Sequence, residues 1–405
     1  MNNKFSVAIV GGGFSALVLA CSLDRSLQKN SIIFEKLSRV GKKILSTGNG
    51  RGNFTNEFLS LDCYHGGDVS FAAYALKKYD NQVIRGFFEK RGVLCATENG
   101  RVYPMSFQAN SLLDGLRLSH SATVLESAEV TEVSKNDSGF ELKTKLGTFY
   151  ADTVVIAAGG MAAKNFGTDG DSYRLASRFG HKSSETYPSL VQMRAEKSDI
   201  KGLKGVKHDA QVSLYDGDKF IKSANGDLLF TDYGVSGNSV FYLSSYLAGI
   251  SKPRLEIDFI RDCNVVALFD SLSSRAKEFA DKGAEFLLSG VVHSAIALKV
   301  ARERLGDKKL GSLGARDIKR AIEAIENYRV SIIGTLGFDN AQVTRGGILT
   351  KDVDPITMES KLEKGLYFCG EALDIDGDCG GYNLQWAFSS AKCAAEAINE
   401  RFDKR

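Results

Sequence analysis

The sequence predicts an α/β fold in which the two ends of the chain build one domain and the middle forms an insertion of different character. Three observations predict it. The N-terminus reads as a buried strand, a triple-glycine turn, a helix and a second strand. The C-terminus reads as a strand, a glycine-rich turn and a long helix. Between them the pattern changes to short strands and then to helices.

The elements follow in order. Phe5–Val10 is short, Val/Ile-rich and bounded by Gly11-Gly12-Gly13, the mark of a buried strand. Phe14–Ser26 is helical in pattern, and Ser31–Glu35 is a second strand, which completes a βαβ unit. Ile44–Asn56 is polar and glycine-rich, a loop that something must order. Residues 71–92 and 108–120 read as helices, and 121–150 as a small antiparallel meander turning at Lys135–Gly139. Thr153–Ala158 is a separate buried strand that ends in Gly159-Gly160. Short strands alternate with turns over about 188–260, and 264–329 is largely helical with a break at Gly290. Leu366–Gly370 is a last strand, Gly380-Gly381 a turn, and Tyr382–Arg401 a long helix. The expected domains are therefore 1–187 with 341–405, and an inserted substrate-side domain over 188–340.

Composition excludes several classes. With 43% hydrophobic and 25% charged residues, 405 residues suffice for two or three packed domains. The net charge of +3 is the balance of 52 basic and 49 acidic residues dispersed along the chain, which argues against nucleic acid as a partner. Cys21, Cys63, Cys95, Cys263, Cys369, Cys379 and Cys393 are odd in number and widely spaced, so a disulfide framework and a zinc site are not expected. Reduced thiols in a cytoplasmic protein are the plain reading. The apolar stretch Val7–Ala20 contains three successive glycines and no cleavage signature, and no other run approaches the length of a membrane span. No membrane partner is expected.

The chemistry lies at the two ends. Gly11-x-Gly13-x-x-Ala16 follows a strand and opens a helix, as a dinucleotide-binding Rossmann fingerprint requires. Gly11 allows the tight turn, Gly13 lets backbone approach a pyrophosphate, and Ala16 lets helix and strand pack closely. Glu35 ends the second strand, where a carboxylate accepts hydrogen bonds from an adenosine ribose. A second glycine-rich segment, Gly370-Glu371-Ala-Leu-Asp374 with Gly380-Gly381-Tyr382-Asn383-Leu384, opens the final helix. Its N–H groups and dipole suit a ring that gains negative charge on reduction, which favours FAD over NAD.

Gly41–Arg51 with Asn53–Asn56, Arg101–Pro104, Ala341–Gly347, Met358–Ser360, and Gly365–Asp374 running on through Gly380–Ser390 form a set of blocks spread over nearly the whole chain. In these the chain resembles the HI0933-like flavoprotein family, which includes BaiN/YhiN-like and aminoacetone-oxidase-like proteins. The resemblance implies a glutathione-reductase-like FAD-binding domain with an inserted β-rich and helical domain, and non-covalent FAD. It implies pyrophosphate at Gly11, Gly13, Phe14, Ser15 and Ala16, and ribose at Glu35. Lys43, Arg51 and Asn53 would line the diphosphate or flavin side, Val130 backbone would lie near adenine, and Asp374 would meet the ribityl chain. Gly381 to Leu384 would face the flavin, and Lys36, Gly50, Ala158, Gly159, Gly370, Glu371 and Gly380 complete the expected lining.

Two departures stand out. Arg51-Gly52-Asn53 replaces an expected Arg-Cys-Asn, and Phe230-Thr-Asp232-Tyr-Gly-Val-Ser-Gly-Asn238 replaces a stretch with His at the Asp232 position. Asp232 is thus the candidate catalytic residue. The remaining histidines are isolated in sequence and read as structural, as do Cys369 and Cys379. Asp374, Asp376 and Asp378 mimic a calcium loop, but Cys379 and Gln385 stand at its sixth and twelfth positions, so no metal is expected. The expected function is hydride transfer between flavin N5 and a small organic substrate, with NAD(P)H as a candidate transient reductant. The alternatives are an amine oxidase using O2 and a flavin-binding RNA-modification or regulatory protein.

Overall fold

A computed structural model describes residues 3–404. The chain divides into two compact units, one running up to Ser189 and resuming at Phe338, the other Leu190–Gly337. Each has its own hydrophobic core.

In the first unit, β1 (Lys4–Val10), α1 (Phe14–Ser22) and β2 (Ser31–Phe34) form the N-terminal βαβ unit. They are followed by β3 (Thr123–Leu125), β4 (Val130–Asn136), β5 (Gly139–Thr144), β6 (Gly147–Ile156) and α2 (Asp171–Ser177). One seven-stranded sheet runs in the order β3-β2-β1-β6-β5-β4. The pairs β3–β2, β2–β1 and β1–β6 are parallel, and all four residues of β2 are buried, as a strand covered on both faces requires. The far edge of β6 is shared: residues 147–151 pair antiparallel with β5, and residues 154–156 pair parallel with a strand from the far end of the chain.

The second unit begins with β7 (Met193–Ala195), β8 (Lys207–Asp216), β9 (Lys219–Phe230), β10 (Gly234–Ser236) and β11 (Pro253–Asp258). Next come α3 (Val265–Glu278), α4 (Ser294–Arg304), α5 (Ala315–Glu326) and β12 (Tyr328–Thr335). The six strands close into an antiparallel barrel in the order β7-β10-β9-β8-β11-β12. Ile318, Ala321, Ile322 and Ile325 recur at helical spacing on α5 and are buried in the same core as barrel residues Val212 and Leu255.

The chain returns to the first unit with β13 (Val343–Arg345), β14 (Leu366–Phe368), β15 (Asp376–Gly377) and α6 (Tyr382–Asp403). β14 is the strand that completes the sheet beside β6. β13 pairs antiparallel with Tyr187–Ser189, and β15 with Tyr64–His65. α6 packs along α1, burying Trp386, Phe388 and Ala391.

The α/β fold with an inserted β-rich and helical region is as expected, with several local differences. The helix expected over Phe14–Ser26 ends at Ser22, and a separate turn of helix covers Arg25–Lys29 after Asp24 adopts an extended backbone. The third strand of the meander and the buried strand at Thr153 are one continuous β6. The region 71–92 holds two helices, Ala73–Lys78 and Asn81–Glu89, with Asp80 capping the second. The short strands expected in the insertion include a long hairpin, β8–β9.

Candidate cofactor site

The site is built where β1, β6 and β14 end at their C-terminal edges, the place where open α/β sheets bind ligands. Gly11 leaves β1 at φ +102°, and a Cβ there would lie 2.6 Å from the Ala157 carbonyl oxygen. No side chain could occupy that turn. Gly13 then caps α1 without any side-chain hydrogen bond to the helix end. A Cβ at Gly13 would meet nothing within 4 Å, so the backbone borders open space at an uncapped helix N-terminus. Ser15 and Ala16 are buried behind it.

Glu35 follows β2, and its two carboxylate oxygens are held from opposite sides. Oε2 accepts the Gly12 N–H at 3.0 Å, and Oε1 accepts the Leu37 N–H at 2.7 Å. Burial raises its pKa, against those two hydrogen bonds, which lower it. Each oxygen retains acceptor capacity for a further donor. Lys36 turns to Asp169 at 2.7 Å and Asp171 at 2.9 Å, tying the end of β2 to the start of α2. Val130 is buried at the start of β4, and its carbonyl accepts Arg174 Nη2 at 3.3 Å.

A chain of polar contacts joins the loops over these strand ends. Lys43 Nζ pairs with Glu371 Oε2 at 2.8 Å, and Glu371 Oε1 accepts the Thr344 N–H at 2.9 Å. Thr344 Oγ1 accepts the N–H groups of Met161 and Ala162 at 2.8 and 2.9 Å, just after Ala158 and Gly159. Arg51 instead faces outward, paired with Glu98 at 2.6 Å and stacked over Tyr103 and Phe107. Gly50 and Gly52 beside it have φ of +83° and +78°. A Cβ at Gly52 would lie 2.8 Å from Ala109 Cα, so this loop shape excludes the cysteine expected there. Asn53 is buried, and its amide nitrogen is used by the Thr55 and Val102 carbonyls.

The C-terminal segment presents a second uncapped helix start. Gly370 has φ +69° and donates to Ser390 Oγ at 2.9 Å, while its carbonyl accepts Trp386 Nε1. A Cβ on Gly370 would lie 2.9 Å from Ser15 Oγ, so the two glycine segments touch. Asp374 is buried with Oδ2 accepting the Gly67 N–H at 3.3 Å, and burial raises its pKa. Gly380 and Gly381 have φ of +142° and +99°, and a Cβ on Gly381 would lie 2.5 Å from the Thr55 carbonyl oxygen. Among the described residues no side chain caps α6. Asn383 braces the turn through both Gly377 backbone groups, Tyr382 is buried and Leu384 half-buried.

Cys369 is wholly buried, which pushes its thiol up to about 12, and burial also raises Cys379. Asp232 belongs to the second unit. It is exposed and paired with Lys204 at 2.9 Å, which lowers its pKa. It borders a cleft of about 410 Å³ with Lys197, Lys201, Lys204 and Thr231. Sequence reasoning assigned no role to Thr344, Arg345, Asp376 or His65. Thr344 and Arg345 lie in the Ala341–Gly347 block, a signal that was present without a function attached.

Residues 5–397 match the model of the HI0933-like protein Rossmann domain. The chain belongs to the HI0933-like family. This HI0933-like chain is 34% identical over 408 residues to the 3-dehydro-bile acid delta(4,6)-reductase of Clostridium scindens, covering 98% of this chain and 99% of that protein. It is 29% identical over 406 residues to the ribosomal RNA dihydrouridine synthase of Escherichia coli, covering 98% of each. Among solved structures, the 3-ketosteroid delta1-dehydrogenase of Sterolibacterium denitrificans shares the fold at TM-score 0.50 and 14% identity, covering 99% of this chain and 100% of that one. The HI0933-like chain is an FAD-dependent oxidoreductase. Its FAD-binding Rossmann domain fits that cofactor in the open space at Gly13 and in two helix starts that no side chain caps. Among the described residues no helix is long and apolar enough to cross a membrane.

Proposed function

We propose that this HI0933-like oxidoreductase reduces a carbon–carbon double bond conjugated to a carbonyl group in an organic substrate, with NAD(P)H as the reductant. One observation carries the reading. Two full-length relatives with unlike substrates, one a delta(4,6)-reductase of a 3-dehydro-bile acid and the other a dihydrouridine synthase, are named for the same change. Each name describes two hydrogens added to an unsaturated system in conjugation with a carbonyl. Non-covalently bound FAD supplies the hydride carrier of such a reaction at flavin N5.

The chain's own residues bind and orient. The N–H groups of Phe14, Ser15 and Ala16 at the start of α1 would hold the pyrophosphate, and Gly11 and Gly13 keep side chains out of its way. Glu35, already fixed by Gly12 and Leu37, would accept from the adenosine ribose hydroxyls. Asp374, pinned by Gly67, would accept from the ribityl chain. The N–H groups of Tyr382, Asn383 and Leu384 would face the ring, where the α6 dipole would favour the charge gained on reduction. The Lys43–Glu371 pair holds the two cofactor loops together. Gly50 and Arg51 belong to the loop that shapes this side, with Arg51 acting through Tyr103 and Phe107. Residues 188–340 serve as the substrate-side module, with Asp232 as its candidate acid–base group. All seven cysteines are free thiols, which suits a cytoplasmic enzyme.

A second reading puts the same reduction on a pyrimidine in RNA. The Escherichia coli relative favours it by name, and the dispersed charge of +3 works against it. Anaerobic stopped-flow separates the readings. Holoprotein is mixed with NADH or NADPH, and the bleached protein is then mixed with steroid enones, short enones or uridine-containing RNA. Recovery of the yellow colour by an enone supports the first reading, and recovery by RNA alone supports the second. Bleaching by amines but not by NAD(P)H, with return of colour only on admitting O2, would identify an amine oxidase and overturn both.

A further inference from the structure

Asp376 is the least exposed acid of the C-terminal segment, with a relative exposure of 1%. Arg345 Nε lies 2.8 Å from its Oδ1, close enough for an ion pair. Among the described residues no other hydrogen-bond partner reaches the two Asp376 oxygens or Arg345 Nε and Nη2, all of which are buried. A desolvated ion pair with unmet donors and acceptors is unfavourable unless the site gains from its charge.

The pair lies among the elements assigned to FAD. Arg345 ends β13, and its neighbour Thr344 is bonded to Met161 and Ala162 after β6 and to Glu371 before Asp374. Gly346 follows at φ +90°, and a Cβ on Gly347 would lie 2.7 Å from the Leu373 carbonyl carbon, so β13 is pressed onto the cofactor segment by bare backbone. Asp376 sits between Asp374 and the Gly380-Gly381 turn. The charged and titratable groups facing it are Arg345 from β13, His65 from the paired strand and Asp374 two residues before it. His65 is itself bonded to Asp378 at 2.7 Å. Three buried carboxylates gathered at a site that takes up electrons would oppose reduction, and Arg345 is a permanent cation in direct contact with one of them.

We propose that Arg345, held by Asp376, is a cofactor-facing cation that sets how strongly this protein prefers reduced over oxidised FAD. The inference rests on the placement of FAD argued above. The two residues act with opposite signs. Removing the cation weakens the preference for reduced FAD, and removing the carboxylate strengthens it while leaving the cation in place.

The midpoint potential of bound FAD, measured by spectroelectrochemistry at pH 8 in wild type, Arg345→Gln and Asp376→Asn, tests this. Arg345→Gln is expected to lose the preference tenfold or more, a shift of about 30 mV to more negative potential for a two-electron couple. Asp376→Asn is expected to shift the potential to more positive values. Shifts of the same sign, or less than a twofold change in preference for both, overturn the proposal and leave the pair a structural contact. If Arg345→Gln fails to retain FAD, the sign of the Asp376→Asn shift decides alone. Wild-type protein that purifies and reconstitutes without FAD would refute the cofactor placement instead.

Discussion

The place of Glu35 directly after the second strand was legible from its distance to the glycine turn, because strand, turn and helix lengths fix where that strand ends. The structure adds that this carboxylate also clasps the Gly12 N–H. Replacing it with alanine is expected to weaken FAD binding about ten- to a thousandfold, since each charge-assisted bond contributes roughly 1.5–3 kcal/mol. FMN, which lacks the adenosine ribose, should bind nearly as well as before. Equal losses for both, measured by fluorescence titration, would show a disturbed fold instead. The Asp376 cluster was not legible, because Arg345, His65 and Asp376 come from three separate stretches, and Asp376 stood out only as part of a calcium-loop mimic. Burial pushes Asp376 up to about 6, above its ordinary 3.8. The folded chain therefore holds a proton that the unfolded chain has lost, and stability from this group falls as pH rises from about 4 to 6. The loss is on the order of 2–3 kcal/mol. Urea denaturation of the apoprotein should find Asp376→Asn gaining on wild type between pH 4.5 and 7, and a constant difference would contradict this.

Two glycines at helix starts make opposite demands on their elements. Gly381 before α6 cannot carry a side chain, because of its φ of +99° and the Thr55 carbonyl 2.5 Å away. Gly381→Ala should destabilise the apoprotein by about 2 kcal/mol or more. Gly13 before α1 has φ −81° and open space around it. Gly13→Ala should leave apoprotein stability within about 1 kcal/mol, yet reduce FAD affinity at least about tenfold by filling the space a pyrophosphate needs. Thermal melts of the apo forms beside FAD titrations would separate the two cases. The sequence resolved the terminal elements well because their apolar runs are bounded by glycines. It split β6 in two because that strand alternates while it pairs with β5 and then becomes wholly buried where it enters the parallel sheet. The region read as short strands contains one long hairpin, β8–β9, in which Gly226 lies within a strand and not at a turn.

At the scale of the whole molecule, the inserted unit interrupts the first one at a ribbon. Tyr187–Ser189 pairs with β13, with Ser189 opposite Val343, so the chain leaves and re-enters the first unit on neighbouring strands. The two cores are separate clusters. Replacing Leu190–Gly337 with a short flexible linker should therefore leave a folded, FAD-binding protein that has lost turnover. A folded remainder without FAD affinity, read by circular dichroism and titration, would contradict this. The closure of the inserted strands into a barrel was beyond pattern reading, because closure depends on pairing between β7 and β12, far apart in the chain.

β14, which completes the sheet beside β6, has a bearing on how the molecule is made in the cell. β6 ends at Ile156 and β14 begins at Leu366. At about 5–20 residues per second, the ribosome delivers the second roughly ten to forty seconds after the first. Throughout that interval the end of β6 offers an unpaired edge, the kind of surface chaperones cover and other nascent chains join. The inserted barrel emerges complete within the same interval and is free to fold first. If both ends of the chain hold FAD as proposed, loading would be a late step of biogenesis, and starvation for riboflavin would leave whole apoprotein, not stalled fragments, for proteases to remove.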